Sequence, residues 1–589
     1  MSHLRHSLIL LLILAAFGVF LLWPIFQVVR VGFFGIPGEQ GAGSFTLAYV
    51  GSIFQDHSLR QGLINSASIA ISVTLVCTLI SVPLALLSVR FNFWGKGIVS
   101  ALLLVPLILP PFVGAIGMRQ ILGRFGVLTS VAQGVGLIDA GAPIDWIGSA
   151  RMLGIILVES LSLYPILFLN VSAALANLDP AMEQAAANLG ATRWTIFRRI
   201  TLPLMRPGLF AGGTIVLIWS FTELGTPLMF DFYEATPVQI FHRITQISGS
   251  PVPYALVVVM LIASVLLYVT GRLILGRRQD AAVTKASVQS ATRSLGPVAS
   301  IPVLLPFLIV SGMALLPHLG VILMSVSGVG AWYNSALPSV FTNDHYVTGL
   351  THSLTLPSVQ NSLKFASLSM LIDIVLGVLI AVIIVRSRLP AGVRQFVDSL
   401  SMLPLAVPGL VLAFGYLAIS LRLQTWVAAW DAATASDLAW LRRLVDVNEN
   451  PTLLLVVAYA MRRLPYVVRS AVAGLEQTPV DLELAARNLG ASSWMTTRRI
   501  TVPLIAANLI AGGLLAFAFA MLEVSDSLIL AQKAEYWPIT KAIYELFQRL
   551  GDGPYIASAL GVWAMLLLTL TILSASSLLG RRMGAIFRV

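Results

Sequence analysis

The 589-residue chain is 57% hydrophobic and 11% charged, with a mean hydropathy of +0.88. Soluble domains carry about 25% charged residues, so this composition excludes that class and predicts a polytopic membrane protein. The formal net charge of +11 requires no nucleic-acid partner, because basic loops orient membrane spans in the bilayer.

Apolar stretches long enough to cross a bilayer recur along the whole chain, since a crossing helix needs about 20 residues. They predict an all-α protein with about twelve transmembrane helices. The first stretch exceeds the apolar core of a signal peptide, so we expect it to be retained. The predicted spans cover residues 7–29, 64–88, 98–120, 152–175, 207–230, 253–275, 299–326, 363–385, 397–420, 452–472, 508–531 and 555–579.

Lys and Arg residues predict the orientation of these spans. An even number of spans places both termini on one side, and most of the 37 Lys and Arg residues fall on that side. Basic loops remain in the cytoplasm, so we expect a multi-pass protein of the bacterial inner membrane with both termini cytoplasmic. Contact of these loops with anionic lipid is compatible with the same pattern.

The sequence contains an internal repeat. "NLGATRWTIFRRITLP" (188–203) and "NLGASSWMTTRRITVP" (488–503) agree at ten of sixteen positions, and "VPLILPPFVGAIG" (105–117) matches "LPLAVPGLVLAFG" (403–415). A repeat in the same order predicts two parallel six-helix halves, residues 1–276 and 298–589, with a pathway between them. The polar stretch 277–297 is predicted to be a cytoplasmic linker.

Each repeated loop predicts a helix–turn–helix. An alanine-rich stretch favours a first helix, and Gly190 or Gly490 suits the left-handed turn that ends it. A Thr or Ser two residues later can cap a second short helix, which we expect to end before Pro203 or Pro503. One interpretation is an amphipathic helix that lies at the membrane surface. Two matched copies in equivalent loops favour the alternative, a docking surface used twice.

The loops resemble the cytoplasmic coupling loop of permease subunits in ATP-binding-cassette (ABC) importers. That pattern reads Glu-Ala-Ala, three residues, Gly, nine residues, Ile, one residue, Leu-Pro. Here Gln184 and Leu484 occupy the Glu position of the pattern, and in each loop a Glu lies one residue earlier. In the second loop, Val502 replaces the Leu of Leu-Pro. The matching residues, with the displaced acids, are Glu183, Ala185, Ala186, Gly190, Ile200, Leu202 and Pro203, and Glu483, Ala485, Ala486, Gly490, Ile500 and Pro503.

This resemblance implies a type I ABC importer fold and a division of work among subunits. Each loop would dock on one of two copies of a cytoplasmic ATPase subunit, whose closure on ATP would rock the two halves. An extracytoplasmic solute-binding protein would deliver the cargo. Because the chain has no Gly-Lys-Ser/Thr phosphate-binding motif, we expect ATP and Mg²⁺ to be used by the partner subunit. We therefore expect this chain to bind no cofactor and to be no enzyme by itself.

Acidic residues inside spans are functional candidates, because a charge costs about 2.5–3.5 kcal/mol to insert. Glu223 and Glu523 occupy equivalent positions of the two halves, and Asp526 lies one turn beyond Glu523. We predict that these three line a shared pathway; the alternative is that each locks packing through a hydrogen bond. Arg462 and Arg463 are expected to face the inner part of the cavity or to extend toward the cytoplasm. Contact with an anionic substrate is the alternative for them.

Other polar residues inside the spans are weaker candidates. Glu159 and Asp373 have no counterpart in the other half, so packing roles are expected for them. The seven His residues are dispersed and Cys77 is the only cysteine, which predicts neither a disulfide nor a metal site in this chain.

The fused two-half permeases that the chain resembles include the ferric-iron importer group, which implies iron(III) as cargo. Similar fused subunits handle thiamine or aminoethylphosphonate, and these remain alternatives. A twelve-span secondary transporter is a rival class, but it would not need the duplicated loop. A scaffold or sensor that binds two partner copies is another, against which the symmetric intramembrane acids argue.

Overall fold

The computed structural model describes residues 2–36, 43–107, 110–139, 141–147, 151–247, 249–275, 292–434 and 439–579. Within these ranges almost all regular structure is helical, which confirms the predicted all-α class. Helices suit a bilayer because they satisfy their backbone hydrogen bonds internally. Three π-helical turns occur at Gly18–Leu22, Phe197–Thr201 and Thr497–Thr501. Short 3₁₀ helices occur at Val105–Leu107, Ile244–Gln246 and Ala534–Tyr536.

The first half contributes fourteen α-helices. They are α1 (Ser2–Phe17), α2 (Trp23–Phe34), α3 (Ala48–Gln55), α4 (His57–Arg90), α5 (Lys96–Leu102), α6 (Pro111–Leu122), α7 (Val127–Gly134), α8 (Arg151–Ala176), α9 (Pro180–Asn188), α10 (Arg193–Ile196), α11 (Leu202–Thr222), α12 (Gly225–Met229), α13 (Thr236–His242) and α14 (Val252–Leu275).

The second half repeats the order with fourteen more. They are α15 (Pro297–Ser325), α16 (Asp344–Thr351), α17 (Thr355–Arg386), α18 (Ala391–Ala406), α19 (Gly409–Thr434), α20 (Ala439–Val445), α21 (Thr452–Gln477), α22 (Val480–Asn488), α23 (Ser493–Thr496), α24 (Val502–Leu504), α25 (Ala506–Met521), α26 (Ser525–Leu530), α27 (Ile539–Phe547) and α28 (Gly553–Leu579).

Nine helices of the described ranges are long and apolar enough to cross a membrane, or eleven if each of two bent helix pairs counts as one span. The predicted span at 452–472 coincides with α21, a helix of 26 residues. Its composition alone does not identify it as a span, because it carries Arg462, Arg463 and Arg469. The difference from the predicted twelve therefore arises from charge on one helix rather than from a missing helix.

Two predicted spans are interrupted at prolines. Residues 98–120 are not one helix, since the segments Lys96–Leu107 and Pro111–Gly134 lie at 98° to each other. Residues 397–420 are likewise divided between α18 and α19, with Pro408 at the break. Proline has no N–H to donate and clashes with the preceding turn, so a helix stops where nothing compensates.

The halves are interlocked. The first long helix of each half packs against the proline-broken span of the other, α15 on α6 and α2 on α19. Glycine permits this close approach: a Cβ at Gly117 would lie 2.4 Å from the Pro317 carbonyl oxygen, and one at Gly415 would lie 2.8 Å from that of Pro24. The larger buried core accordingly mixes Phe17 of the first half with residues of the second half.

Only the end of the predicted linker is described, because residues 277–291 lie outside the described ranges. Strand β1 (Phe91–Asn92) and strand β2 (Arg293–Ser294) form one short parallel pair. Residues just before α15 are thereby attached to the loop that follows α4. The boundaries at 276 and 298 stay predictions.

Candidate functional site

A cavity of about 170 Å³ lies where the two halves meet. It is bounded by the interrupted helices, and its walls combine apolar side chains with a small number of charged ones. Such a mixture is typical of sites that bind small ligands, where a few polar groups decide what is recognised. The charged residues that line the cavity are Glu159 and Glu223 of the first half and Arg462, Arg463 and Glu523 of the second.

The predicted spans at 207–230 and 508–531 end at the two candidate acids rather than passing through them. Helix α11 stops at Thr222 and α12 begins at Gly225, so Glu223 lies between two helices in an extended backbone conformation. Helix α25 stops at Met521, and Glu523 again lies in the break. Interrupted helices near the membrane midplane supply binding groups in several transporter folds.

In the first half, Glu223 forms no ion pair with an arginine of the described ranges. Its carboxylate accepts hydrogen bonds from the backbone N–H groups of Gly225 (3.2 Å) and Thr226 (3.3 Å). These N–H groups are at the start of α12 and have no hydrogen-bond partner within that helix. The Glu223 carboxylate therefore caps the helix that follows it and makes no contact with a distant helix through these bonds.

In the second half, Glu523 is held between two arginines. The guanidinium groups of Arg462 and Arg463 each donate to one of its carboxylate oxygens. Arg462 also lies 3.5 Å from Asp526, which is completely buried. A buried ion pair of this kind satisfies charges that would be very costly alone. The packing alternative therefore describes Glu523 and Asp526 better than it describes Glu223.

The sequence analysis placed both arginines in the cavity or toward the cytoplasm but did not pair them with Glu523. A signal for the pairing was present, because charges within spans pair with one another and α21 and the α25–α26 break hold opposite signs. At the positions equivalent to Arg462 and Arg463, the first half has Ser162 and Leu163. The acids at 223 and 523 are therefore equivalent in sequence and different in surroundings.

Two further buried acids received only packing roles from the sequence. Glu159 on α8 is fully buried and lines the cavity, where one of its carboxylate oxygens accepts a hydrogen bond from the Ser220 hydroxyl. Its other oxygen has no hydrogen-bond partner among the residues that the structure describes. Asp373 on α17 is also fully buried, and neither of its oxygens has a hydrogen-bond partner in the described part of the chain. Asp373 does not line the cavity.

The predicted turns of the two repeated loops, residues 179–203 and 479–503, are present. Gly190 has φ = +81° and Gly490 has φ = +88°, the left-handed conformation expected at the end of α9 and α22. The hydroxyl of Thr192 accepts a hydrogen bond from the N–H of Thr195, and that of Ser492 accepts one from Met495.

The prediction that the second short helix ends before the proline is wrong. In the first loop, α10 continues through a π-helical turn into α11, so that Arg193–Thr222 is one helix of 30 residues. Pro203 is the second residue of α11, where the wider π-helical turn before it tolerates a missing N–H. In the second loop the helix continues past Pro503 and bends by 73° between Leu504 and Ala506.

The displaced acids hold the loops to the rest of the chain. Glu183 accepts hydrogen bonds from Arg90 (2.7 Å), at the end of α4, and from the Thr201 hydroxyl. In the equivalent arrangement Glu483 is bound by Arg386 (3.2 Å), at the end of α17, and by Thr501 (3.2 Å). These contacts place both acids against the membrane helices.

Apolar side chains protrude from both loops. Leu189 and Leu489, each just before the glycine, are both 89% exposed, and Trp194 and Trp494 are also exposed. The remaining motif residues surround these tips. Ala185, Ala485 and Pro503 are exposed, Ala186, Ile200, Ile500 and Pro203 are half-buried, and Ala486 is buried. Matched exposed apolar groups on two loops are typical of interaction sites.

Comparison with known protein families decides the class of the chain. Residues 78–280 and 373–584 each match the family described as the inner membrane component of binding-protein-dependent transport systems. The chain belongs to this family. The two matches fall one in each half, which confirms the internal repeat and the predicted resemblance to importer permeases.

Individual relatives differ in how much of the permease they cover. This chain is 26% identical over 569 residues to the ferric transport system permease protein FbpB of Actinobacillus pleuropneumoniae, and the match covers 92% of this chain and 76% of that protein. It is 33% identical over 180 residues to a probable molybdenum ABC transporter permease protein of Haloferax volcanii, over 30% of this chain and 61% of that protein. A solved bacterial ABC transporter that imports alginate matches 47% of this chain and 96% of its own, with 18% identity and a TM-score of 0.39.

These findings support an ABC importer permease, a multi-pass protein of the inner membrane, in preference to a secondary transporter or a scaffold. Family membership implies ATPase subunits and a solute-binding protein as partners. The relatives are themselves permease subunits, which is consistent with a chain that is no enzyme.

Proposed function

We propose that this permease carries iron(III) into the cytoplasm through the cavity between its halves. Two copies of a cytoplasmic ATPase subunit would dock on the two repeated loops and supply ATP and Mg²⁺, and an extracytoplasmic binding protein would deliver the ion. Both termini would be cytoplasmic, and this chain would hold no cofactor of its own.

One observation carries the coupling part of the proposal. The helix that begins in the first repeated loop runs without interruption from Arg193 to Thr222, and the next residue, Glu223, lines the cavity. A displacement of the loop by an ATPase would therefore be transmitted along about 45 Å of rigid helix to the pathway. The second loop reaches Glu523 through a bent pair, so its transmission would be less direct.

Two observations support iron(III) as cargo. The ferric relative matches nearly the whole chain, whereas the molybdenum relative matches less than a third of it. The cavity presents three carboxyl groups, while both of its arginines are engaged by Glu523. Oxygen ligands with negative charge suit hard cations.

A second candidate cargo is an oxyanion such as molybdate. Arg462 and Arg463 line the same cavity, and guanidinium groups bind oxyanions well once freed from a carboxylate. Thiamine and aminoethylphosphonate remain alternatives on the resemblance alone.

Reconstitution tests the proposal. The permease, its ATPase and its binding protein are placed in proteoliposomes, and ATP hydrolysis is measured with the binding protein empty, loaded with iron(III) or loaded with molybdate. We expect stimulation and uptake with iron(III) only. Stimulation by molybdate alone would assign the second cargo, and uptake that follows an ion gradient without ATP would reject the mechanism.

Neutralising the acid that anchors each loop should weaken coupling more in the second loop. The Arg386–Glu483 pair is mostly buried (12% and 8% exposed), whereas Arg90–Glu183 is open to solvent (45% and 29% exposed). Exposed pairs contribute roughly 0–1 kcal/mol, and breaking a buried one costs more. We expect Glu483→Gln to lower uptake per ATP hydrolysed and Glu183→Gln to lower it less. Equal effects would show that burial does not set the strength of the anchor.

A further inference from the structure

The charges around the cavity are distributed unequally between the halves. On the second-half side, Glu523 is neutralised by Arg462 and Arg463. On the first-half side, the cavity is lined by Glu159 and Glu223, and neither carboxyl forms an ion pair within the described part of the chain. The second half therefore contributes one acid that is paired with arginines, whereas the first half contributes two acids that are not.

The two first-half acids belong to one small region. Glu159 accepts a hydrogen bond from Ser220, which lies in the last turn of α11, and Glu223 follows that turn directly. The side chain of Glu159 is completely buried, yet its second oxygen has no hydrogen-bond partner within the described ranges. Buried polar atoms are nearly always bonded, so this carboxylate oxygen beside the cavity is available to accept a ligand from it.

We propose that Glu159 and Glu223 form the cation contact of the pathway and that Glu523 has a structural role as the partner of the two arginines. The inference rests on the proposed function, because it assigns the cargo contact of the same cavity to one half. The carboxylate oxygens of Glu159 and Glu223 would bind a hard metal cation, iron(III).

The small number of ligands suits transit. Among the described residues, no group of three or more His, Cys, Asp or Glu side chains could hold a metal ion. A complete ligand set would retain the ion, whereas conduction requires a site that binds well enough to admit the cargo and weakly enough to release it. Two carboxyl groups beside a helix break meet that requirement, and movement of α11 would change the spacing between Glu223 and Glu159.

Uptake by neutral variants tests this assignment. Glu159→Gln and Glu223→Gln are compared with Asp373→Asn, which removes an acid as buried as Glu159 that does not line the cavity. Each variant is reconstituted with the ATPase and binding protein, and uptake of radiolabelled iron(III) is expressed per folded permease. The wild-type protein is assayed first, so a failure of iron(III) to stimulate ATP hydrolysis there would reject the proposed function itself.

If wild-type uptake depends on iron(III) and ATP, we expect each glutamine variant to lose about ten- to a hundredfold of uptake, the value of a charge-assisted contact. ATP hydrolysis stimulated by the loaded binding protein should persist, because the loops are unchanged, and Asp373→Asn should transport normally. Normal uptake per folded permease in both glutamine variants would overturn the inference. An equal loss in Asp373→Asn would also overturn it, since removing any buried acid would then suffice.

Discussion

Replacing Glu523 with alanine is expected to deplete the folded permease from the membrane. The substitution would leave the buried Arg463 without its carboxylate partner and the partly buried Arg462 with Asp526 alone. Removing one partner of a buried ion pair costs about 3–5 kcal/mol, a large share of the roughly 5–15 kcal/mol that stabilises a typical protein. Abundance in membranes and thermal unfolding in detergent would measure the loss.

Two further variants separate the charge effect from lost volume. Glu223→Ala removes the equivalent acid but frees only two backbone N–H groups, so we expect a smaller loss of stability. The quadruple variant R462S/R463L/E523A/D526N copies the first-half residues at the arginine positions and also removes the charge of Asp526, the second partner of Arg462. Removing all partners together can be nearly neutral, so this variant should recover abundance. A quadruple variant as unstable as Glu523→Ala would contradict the ion-pair explanation.

Replacing both hinge glycines with valine is expected to uncouple ATP hydrolysis from uptake. Gly190 and Gly490 have positive φ, and left-handed backbone costs about 1–2 kcal/mol for residues with a Cβ and more for a β-branched one. A Cβ at either position would meet no atom within 4 Å, so the effect comes from the backbone and not from a clash. Uptake per ATP hydrolysed is the quantity to measure.

Asparagine supplies the matched control for the hinge, because it tolerates the left-handed conformation. The double variant G190N/G490N should retain coupling, while G190V/G490V should lose it with its membrane helices still inserted. Normal coupling in the valine variant would mean that the turns are not needed for transmission. Loss of coupling in both variants would point to the side chain and not to the backbone.

Much of the architecture was readable from local patterns. Apolar stretches, the repeat and the turn chemistry at Gly190 and Gly490 depend on neighbouring residues, so the all-α class, the two halves and the loops followed from the sequence. The end of the second loop helix did not, because the expectation that it stops before Pro203 ignored a π-helical turn that accommodates the proline. The breaks before Glu223 and Glu523 were also missed, since an acid in an apolar run carries no helix-stop signal of its own.

The sequence by itself determined the class of protein, the duplication and which residues recur in both halves, because composition and periodicity are properties of the chain. Only the tertiary structure decided that Glu523 is bound by Arg462 and Arg463 while Glu223 is left to backbone groups. Positions 223 and 523 carry the same residue, but the charge that surrounds each one comes from helices distant in sequence. Burial makes that pairing obligatory in one half, and Ser162 and Leu163 at the equivalent positions of α8 leave the acids of the other half available to the cavity.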